Sequence, residues 1–559
     1  MGRRLRAIDL YSGVGGWALG LRMAGIEVVA SYEKWADANT TNLKNNGHQT
    51  FSADIRKLEL RLLPKNIDIV VGSPPCVEFS YSNRGGGGDI VDGLRDVIKF
   101  LTVVDHLKPK LWAMENVPRL AEILDRELTS KGRLSRFRHL RVQHDIVNTE
   151  DFGLPQRRIR CLAGNFDFKL LKSYAANAQR PTLGTVIEAL AGPTVVDPIY
   201  ALEAPHSTVP DHNVEDYLDS EEERINRAAK SLHTIYNKMA FPDRLDRSVR
   251  TITATCTRVS RESIIVEDLA VPGRYRRLTL RERSTLQGFP ITFNFYGTSY
   301  GLKMAMIGNA TPPLLSFYIG QAFRRIPVTK ALIPAKAIKT FRAPTEAPVA
   351  TPPRRSPKRF LKNRTFCFAI PTLHFKSGVR FELGNEFRDG GACWRVAFIF
   401  GTSKSIHDMS LTPELLDAVI NQLPMRARGS VRQVLGRCHA WIKAADVLRM
   451  QDVWSHQGPG LTRPFMLLDH LNEFAEELKC VLANAALDGA PVLEAVISGT
   501  FKRKAKKLAG LGKLRNNANA VLVGLLVGAA ANIELEAHRR KQLPAPANSP
   551  PGLVRAARR

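Results

Sequence analysis

The chain has 559 residues and a mass of 62.1 kDa, a length that predicts two to four domains. Apolar residues make up 44% of it and charged residues 24%, a balance that excludes a disordered chain. Because 81 Lys and Arg residues face only 53 Asp and Glu residues, the net charge of +28 favours an acidic partner, most commonly nucleic acid.

Neither the cysteines nor the apolar segments indicate a secreted or a membrane protein. Seven cysteines without any CxxC pair fit neither a disulfide framework nor a zinc site, so we expect no metal and a reducing, cytoplasmic location. The longest apolar run, residues 518–531, is shorter than the ~20 residues that cross a bilayer. The N-terminus has no apolar signal segment, and we expect no membrane partner.

The first 165 residues alternate between strand and helix patterns, which predicts a doubly wound α/β fold. Buried parallel strands are predicted from short apolar runs, which lie at residues 5–10, 28–32, 67–71 and 111–114. A helix is predicted over residues 97–106. Residues 166–275 are less regular, and a helical pattern returns over residues 276–325.

The sequence DLYSGVGG, residues 9–16, follows the first strand and opens a helix. Its glycines allow a tight turn and close approach of a ligand to the backbone, and the helix offers unpaired N–H groups. The next strand ends at Glu33, where a carboxylate is suited to bind ribose hydroxyls. A nucleotide-type cofactor is therefore predicted, and on this loop alone a nicotinamide dehydrogenase remains an alternative. Asp54 precedes the next helix and serves equally well as an adenine contact or as a helix N-cap.

Cys76, in the sequence VVGSPPCVEFS, lies just past the C-terminal end of an apolar strand. Ligands bind at this edge of a parallel sheet, and the two prolines before Cys76 fix its approach. Four glycines at residues 85–88 predict a mobile loop after it. This placement favours a nucleophile over an inert buried thiol. Glu115 ends another predicted strand, and a basic cluster that includes Arg158 and Arg160 follows it.

Together these motifs resemble those of the cytosine-5 DNA methyltransferases, and they occur in that family's order over residues 5–325. The motifs are the glycine loop, PPC at 74–76, ENV at 115–117, QRRIR at 156–160, RRLTLRE through LQGFP at 276–290 and GNATPP at 308–313. The resemblance implies a Rossmann-like, S-adenosyl-L-methionine-dependent domain over residues 1–165 and 300–327. It also implies a smaller target-recognition region over residues 166–299.

The resemblance further implies a mechanism. The thiolate of Cys76 would add to C6 of a cytosine flipped out of the duplex. Glu115 would bind the N3 and N4 edge of the base, and Arg160, with Arg158 close by, would bind the O2 side. Methyl transfer to C5 and loss of the C5 proton would then release the thiolate.

The resemblance also assigns the residues that hold the cofactor. Tyr11, Gly13, Gly15 and Gly16 would surround its methionine part, and Glu33 would hold the ribose. The remaining contacts are expected from Asp54, Ile55, Pro75 and Asn309. Two departures bear on positioning: Val77 and Glu78 stand where the family often has Gln and a small residue, and Lys34 separates Glu33 from Trp35. Glu78 would raise the pKa of the thiol or face solvent.

The last part of the chain matches no family that its residues identify. Residues 328–364 contain ten Lys or Arg, one acid and several prolines, which predicts an extended basic linker. Residues 365–559 predict an extra α+β domain with strands up to residue 400 and helices over 411–540. With 36 basic and 17 acidic residues, the chain from residue 328 onward has a net charge of +19, which favours contacts with DNA phosphates, including a basic cluster at 502–507. Docking of a protein partner is the alternative.

The expected function is therefore sequence-specific methylation of double-stranded DNA by a monomer. The expected setting is restriction–modification with a cognate restriction endonuclease, or phage or host defence. Two alternatives remain open from the sequence. One is an RNA methyltransferase on the same scaffold, and the other is a catalytically silent DNA-binding protein, against which the complete set of Cys76, Glu115 and Arg160 argues.

Overall fold

The computed structural model describes residues 3–79, 88–232, 239–353, 355–375, 379–388, 391–402, 405–501 and 511–542. Glycines 85–87 and the basic cluster at 502–507 lie outside the described residues. The chain divides into two compact units. The first comprises Met1–Glu223 and Phe241–Arg355, and the second comprises Arg224–Ala240 and Ser356–Arg559.

A seven-stranded sheet forms the centre of the first unit. The strands are β1 (Arg6–Leu10), β2 (Glu27–Glu33), β3 (Gln49–Ser52), β4 (Ile69–Gly72), β5 (Leu111–Asn116), β6 (Gln143–Asn148) and, after the short strand β7 (Gln156–Arg157), β8 (Ile159–Gly164). Their order is β3-β2-β1-β4-β5-β8-β6. The strands from β3 to β5 pair in parallel, whereas β8 pairs antiparallel with both β5 and β6. From β1 the chain adds β2 and β3 on one side, and it then adds β4 and β5 on the other side of β1. The sheet is therefore doubly wound, as predicted.

Helices cover both faces of this sheet. Up to residue 337 the helices are α1 (Gly16–Met23), α2 (Ala36–Asn46), α3 (Ile90–Leu107), α4 (Arg119–Glu127), α5 (Phe168–Ser173), α6 (Leu183–Ala191), α7 (Ser220–Ser231), α8 (Leu280–Leu286), α9 (Tyr300–Asn309), α10 (Pro313–Phe323) and α11 (Pro334–Ala337). Most of α7 belongs to the second unit. Because side chains alternate along a strand, β1 sends Ile8 and Leu10 into the core with α3 and α4, and Ala7 into the core with α1 and α10. Apolar residues are therefore needed on both faces, which explains the continuous apolar runs.

Helix α10 lies directly against α1, although some 300 residues separate them. Ser316 Oγ donates a hydrogen bond to the carbonyl oxygen of Gly16 at 2.8 Å. A Cβ on Gly20 would lie 2.3 Å from the carbonyl oxygen of Pro313, so only glycine permits this approach. Helix α10, the last helix within residues 5–325, thus packs against α1, the first.

Between α5 and α9 the first unit has short elements. The strands are β9 (Thr194–Val196), β10 (Glu203–Pro205), β11 (Val249–Arg250), β12 (Ile265–Glu267) and β13 (Tyr275–Arg277). They pair as two antiparallel hairpins, β9–β10 and β12–β13, while β11 pairs in parallel with β7.

Short 3-10 turns occur throughout the first unit. They lie at Ile55–Lys57, Leu60–Leu62, Val77–Phe79, Ser135–Leu140, Thr149–Phe152, Tyr174–Asn177, His206–Thr208, Val328–Lys330 and Ile338–Thr340.

Part of the segment predicted as an extended linker is folded. Helix α11 and the turn after it lie within residues 334–340, and the side chains of Ala337, Ile338 and Phe341 are buried in the core of the first unit. Three apolar side chains within five residues gain enough from burial to fix this stretch despite its prolines and lysines. The average composition of residues 328–364 does not reveal this short apolar group.

The second unit contains a four-stranded antiparallel sheet and a set of helices. The strands are β14 (Cys367–His374), β15 (Arg380–Arg388), β16 (Gly391–Thr402) and β17 (Ser405–Met409), paired in chain order. The helices are α12 (Pro413–Gln422), α13 (Met425–Ala444), α14 (Met450–Trp454), α15 (Pro464–Asn484), α16 (Gly489–Phe501), α17 (Leu511–Arg515) and α18 (Ala518–Gln542), with a 3-10 turn at Val447–Arg449. Strands followed by helices match the α+β pattern that the sequence predicts.

Helix α18 contains the longest apolar run of the chain. Among the described residues, it is the single helix that is long and apolar enough to cross a membrane, and the bent pair α15–α16 would also qualify if it formed one span. In α18, 72% of the most apolar window is buried within the protein. Its glycines explain how it packs on the sheet, because a Cβ on Gly524 would lie 2.1 Å from the Phe381 ring. The helix is thus a core element of the second unit.

Candidate active site

The carboxyl ends of the parallel strands meet at one edge of the main sheet. Leu10, Glu33, Gly72 and Asn116 end β1, β2, β4 and β5 there. Strand β8 runs in the opposite direction, so its beginning reaches the same edge, and its Cys161 pairs with Asn116. This register brings Arg160, which precedes Cys161, to the sheet edge that carries Glu115 and the loop of Cys76.

The loop that leads to Cys76 is held from three directions. Asn116 Nδ2 donates to the carbonyl oxygen of Pro74 at 2.9 Å. Ser73 Oγ accepts a hydrogen bond from Trp17 Nε1 at 2.9 Å and lies 2.7 Å from Thr311 Oγ1. Elements far apart in the sequence, namely β5, α1 and the GNATPP motif, therefore fix the backbone just before the cysteine.

Glu115 and Arg160 form an ion pair beside this loop. Arg160 Nε lies 2.7 Å from Glu115 Oε1, and both side chains are nearly buried. The pair is close in distance, but the N–H group is not aligned for a hydrogen bond, and Glu115 Oε1 accepts none from the described residues. The pair therefore offers an unused acceptor next to a cation, which suits a flat polar ligand with both donors and acceptors.

The thiol of Cys76 experiences opposing influences. Burial raises its pKa first, and the negative charge of Glu115 raises it further. Arg160 and Arg158 lower it, because their positive charges stabilise the thiolate. The net effect is a raised pKa, so the free enzyme holds Cys76 mainly as the thiol at neutral pH.

Arg158 occupies a different position from Arg160. It is buried, and its two Nη groups each donate to a backbone carbonyl oxygen, those of Gly308 and Ala310, at 3.3 Å. Burial, followed by the charge of Arg160, lowers the pKa of Arg158 to about 9. Arg158 thus ties the QRRIR motif to the GNATPP motif while still acting electrostatically on Cys76.

The glycine loop has the backbone conformation that the sequence predicts. Tyr11, Gly13 and Gly15 have φ angles of 56°, 50° and 89°. A Cβ on Gly16 would lie 1.9 Å from the carbonyl oxygen of Thr311, whereas a Cβ on Gly13 would meet nothing within 4 Å. The loop is therefore closely packed on the GNATPP side and open at Gly13, where a ligand can approach the backbone.

Glu33 is bound to the glycine loop through its carboxylate. Oε2 accepts a hydrogen bond from the Gly13 N–H at 3.0 Å, and Oε1 accepts one from the Trp35 N–H at 2.9 Å. A carboxylate has about four acceptor positions, so each oxygen can accept one more hydrogen bond. Lys34 is exposed and leaves Trp35 partly packed against the core, so the extra residue does not remove Trp35 from this region.

Asp54 shows the capping role that the sequence left open. Its Oδ1 accepts a hydrogen bond from the Arg56 N–H at 3.1 Å, while the residue itself is exposed. Arg56 also forms an ion pair with Asp96 at 2.7 Å, and Tyr11 Oη donates to Asp96 Oδ1 at 3.2 Å. Burial, followed by the charge of Asp96, raises the pKa of Tyr11. This network joins the glycine loop to the segment of Asp54.

Four other predicted positions differ in their surroundings. Ile55 is buried in the core, and Pro75 is exposed. Asn309 is exposed at the end of α9, and no described residue hydrogen-bonds its side chain. Glu78 Oε2 accepts a hydrogen bond from the Asp89 N–H at 2.6 Å, which anchors the start of α3. The pKa of Cys76 is raised chiefly by burial and Glu115, rather than by the adjacent Glu78 that the sequence suggests.

Sequence reasoning missed the amide side chains that join the motifs. Gln156 Nε2 donates to Gln287 Oε1 at 2.7 Å, and Gln287 Nε2 donates to the carbonyl oxygen of Ala310 at 2.6 Å. Both glutamines, like Asn116, belong to motifs that the sequence shows. The available signal was an amide within each motif, since an amide that becomes buried needs hydrogen-bond partners.

Comparison with known proteins agrees with this arrangement. The family model of the C-5 cytosine-specific DNA methylases matches residues 5–325. The type II methyltransferase M.AplI of Arthrospira platensis is 30% identical over 356 residues, which are 62% of this chain and 93% of that protein. The type II methyltransferase M1.HphI of Haemophilus parahaemolyticus is 29% identical over 350 residues, which are 57% of this chain and 86% of that protein.

Among solved structures, the Entamoeba histolytica methyltransferase EhMeth aligns with 58% of this chain and 99% of its own, at 14% identity and a TM-score of 0.42. The family match ends at residue 325, within the first unit. Because that match covers more than half of the chain, the protein belongs to the C-5 cytosine-specific DNA methylases and is a DNA cytosine-5 methyltransferase.

Proposed function

We propose that this enzyme methylates C5 of cytosine in double-stranded DNA through a covalent bond between Cys76 Sγ and C6 of the base. The observation that carries the proposal is the ion pair of Arg160 and Glu115, 2.7 Å apart, beside the thiol whose pKa both residues influence. A nucleophile, an acid and a cation at one sheet edge are the groups that this chemistry requires.

In the proposed reaction Cys76 acts as the nucleophile. Its thiolate forms a bond to C6, and the electron pair of the C5–C6 double bond moves to C5. C5 then bonds the methyl carbon as the bond from that carbon to the donor sulfur breaks and its electron pair stays on sulfur. Glu115 hydrogen-bonds the N3 and N4 edge, and a proton at N3 stabilises the adduct. Arg160 binds O2 and offsets the negative charge that develops there.

The second half of the reaction regenerates the enzyme. A base removes the proton from C5, the electron pair restores the C5–C6 double bond, and the C6–S bond breaks to return the thiolate. C5 and C6 lie inside the base stack of a duplex, so the cytosine must first rotate out of the helix. Binding of the base beside Arg160 removes water from the site, which strengthens the effect of that cation on the thiolate.

We further propose S-adenosyl-L-methionine as the cofactor, which supplies the methyl group when bound. The residues fit it in three respects: Gly13 borders open space, each oxygen of Glu33 can accept a ribose hydroxyl, and the uncapped N-terminus of α1 suits a carboxylate. Tyr11, Gly15 and Gly16 would shape the methionine part of the site. Asp54 Oδ2 and Ile55 would contact the adenine, and Pro75 and Asn309 would border the pocket.

For the second unit we propose sequence-independent contacts with DNA phosphates. Residues 356–559 contain 30 Lys and Arg and 16 Asp and Glu. Lys358, Arg359 and Lys362 are exposed. The backbone between them is fixed, because Gln457 and Gln451 donate to the carbonyl oxygens of Phe360 and Lys362 at 2.6 and 2.8 Å. Fixed backbone with solvent-facing cations suits a polyanion.

The biological role that we propose is sequence-specific methylation in the cytoplasm of a bacterium. M.AplI and M1.HphI are named type II methyltransferases, which supports a restriction–modification setting with a cognate restriction endonuclease. Recognition of the target would fall to the short strands and helices between α5 and α9. A monomer that engages one DNA duplex is the simplest arrangement.

Sequencing of DNA from an expression host tests this proposal. The chain is expressed in a host that lacks cytosine methylation, and 5-methylcytosine is mapped in its DNA and RNA. We expect methylation at one short DNA sequence, and none with Cys76→Ala. Methylation of RNA alone would contradict the DNA substrate, and methylation that persists in Cys76→Ala would contradict the covalent mechanism.

A further inference from the structure

Helix α2 buries amide side chains where most helices bury apolar ones. Asn39, Asn42, Asn45 and Asn46 are buried, although asparagine is a poor helix former and costly to bury without partners. Such a surface persists only if its amides find hydrogen bonds, so the question is which parts of the protein they hold.

Two of the asparagines hold the glycine loop. Asn46 Nδ2 donates to the carbonyl oxygen of Gly15 at 3.2 Å and to Asn42 Oδ1 at 2.9 Å. Asn42 Nδ2 lies 3.4 Å from Ser12 Oγ, to which it donates. A Cβ on Gly15 would lie 2.1 Å from Asn42 Oδ1, so the loop and the two amides are in direct contact.

The neighbouring asparagine serves a different segment. Asn45 Nδ2 donates to the carbonyl oxygen of Asn294 at 2.7 Å, and Asn45 Oδ1 accepts from the Asn294 N–H at 2.9 Å. Asn45 is as buried as Asn46 and belongs to the same turn of the helix, but neither of these bonds involves the glycine loop. It therefore provides a matched control for any effect of Asn46 on that loop.

We propose that Asn46 and Asn42 are positioning residues that hold the Ser12–Gly16 loop in the conformation that binds the cofactor. The loop carries positive φ angles at Gly13 and Gly15, and α1 has no side-chain cap at its N-terminus. The amide pair therefore fixes the loop from the side of α2 and leaves the N-terminus of α1 without a side-chain cap. This inference rests on the proposed cofactor site and adds residues that do not touch the cofactor.

Calorimetry with S-adenosylhomocysteine, together with steady-state kinetics in S-adenosylmethionine, tests the inference in the full-length protein. Variants Asn46→Ala and Asn45→Ala are compared with the wild type, and their thermal melting is measured in parallel. We expect Asn46→Ala to raise the Kd of S-adenosylhomocysteine and the KM for S-adenosylmethionine about tenfold, because one ordering hydrogen bond is removed. Its kcat at saturating cofactor should change less than about twofold.

The control should separate positioning from stability. Asn45→Ala should lower the melting temperature comparably and leave the cofactor Kd within about twofold of the wild type. If Asn46→Ala is insoluble, Asn42→Ala removes the link to Ser12 and gives the same comparison. Equal cofactor affinities for Asn46→Ala and Asn45→Ala would overturn the inference. A wild-type protein that binds no S-adenosylhomocysteine would instead overturn the proposed function, and the inference with it.

Discussion

At the scale of single residues, the reactivity of Cys76 depends on charges of opposite sign that lie beside it. Burial and Glu115 oppose ionisation of its thiol, and Arg160 and Arg158 favour it. The site therefore keeps the thiol mainly protonated at neutral pH. An enzyme of this kind gains protection from oxidation in its resting state, because thiolates are the oxidisable form.

We predict that alkylation of Cys76 by iodoacetamide, followed by mass spectrometry of its peptide, accelerates about tenfold per pH unit up to beyond the ordinary thiol pKa of ~8.5. In Arg160→Ala the absence of the cation raises the pKa of the thiol further, so alkylation at neutral pH should slow. Methylation should fall about 10²- to 10³-fold, since a charge that stabilises the transition state is removed.

The control for this prediction is Arg61→Ala, which removes an exposed arginine whose partner is Glu59. It should leave both alkylation and methylation unchanged. Unchanged alkylation in Arg160→Ala would show that Arg160 does not tune the thiol.

Asp9 provides a pH-dependent prediction of a different kind. It is fully buried at the end of β1, and neither of its carboxylate oxygens has a partner among the described residues. Burial, followed by the charge of Glu33, raises its pKa well above the ordinary value. The folded state therefore holds a proton more tightly than the unfolded state. The stability that this proton contributes is complete below about pH 4 and is lost as the pH rises through the raised pKa.

Asp9→Asn removes this titration while keeping the shape of the side chain. Its free energy of unfolding should therefore rise relative to the wild type between about pH 4 and the raised pKa, by up to about 1.4 kcal/mol per pH unit. Urea denaturation of both proteins at pH 5, 6, 7 and 8 measures the difference. A difference that stays constant over this range would contradict a protonated Asp9.

The sequence predicts the chemistry of single residues better than their contacts. Cys76, Glu115 and Arg160 stand in motifs whose residue types indicate a role, and the predicted fold brings them to one sheet edge. The bond from Asn116 to Pro74 depends on the register between β4 and β5, which a single sequence does not contain. Whether the carboxylate of Asp9 finds a hydrogen-bond partner depends on the residues of other elements that pack against β1, and these also cannot be read from one sequence.

At the scale of secondary-structure elements, the apolar runs of the first 165 residues located β1, β2, β4 and β5, with small differences at their ends, whereas β3, β6, β7 and β8 were not predicted. The orientation of β8 was not predicted, because an apolar run has no direction. That orientation decides the site, since an antiparallel β8 carries Arg160 to the reactive edge at its beginning rather than at its end. Helix α2 was likewise not predicted, because its buried face is polar and shows no apolar period.

Helix α18 allows a paired test of packing. Gly524→Ala places a methyl group against the Phe381 ring, where 2.1 Å separates the atoms, and should destabilise the protein by roughly 1–3 kcal/mol. Gly429→Ala lies in α13, where a Cβ would meet nothing within 4 Å, and should stabilise it by about 0.5–1 kcal/mol through helix propensity. Thermal unfolding followed by circular dichroism compares them. Equal shifts would mean that α18 does not pack closely on β15.

At the scale of the whole molecule, the positive charge is unevenly distributed. The chain from residue 328 onward has a net charge of +19, out of +28 for the whole chain. The family match explains the first unit only, and the proposed role of the second rests on its surface. In the second unit, the spacing of apolar residues along the sequence was enough to predict strands followed by helices. The sequence predicted only that the partner of the second unit is acidic, because a net charge does not specify the shape of a binding surface.

Salt dependence tests the role of the second unit. Replacing Lys358, Arg359 and Lys362 together by alanine should weaken binding to all duplex sequences alike. The slope of log K against log salt concentration should shrink by about 0.9 for each phosphate that the variant no longer neutralises. The double variant Lys358→Arg and Lys362→Arg keeps the charge and should retain the wild-type slope. An unchanged slope in the alanine variant would contradict contact of these cations with DNA phosphates.

The closure of α10 on α1 has a consequence for how the protein is made. Thr311 and Ser316 contribute to the walls around a loop that the ribosome completes about 300 residues earlier. The strands of the main sheet precede α10 in the chain, so the glycine loop lacks the contacts of Ser316 until α10 has left the ribosomal tunnel. We therefore expect fragments that end before this helix to be inactive, because the proposed cofactor loop would lack one of its supports.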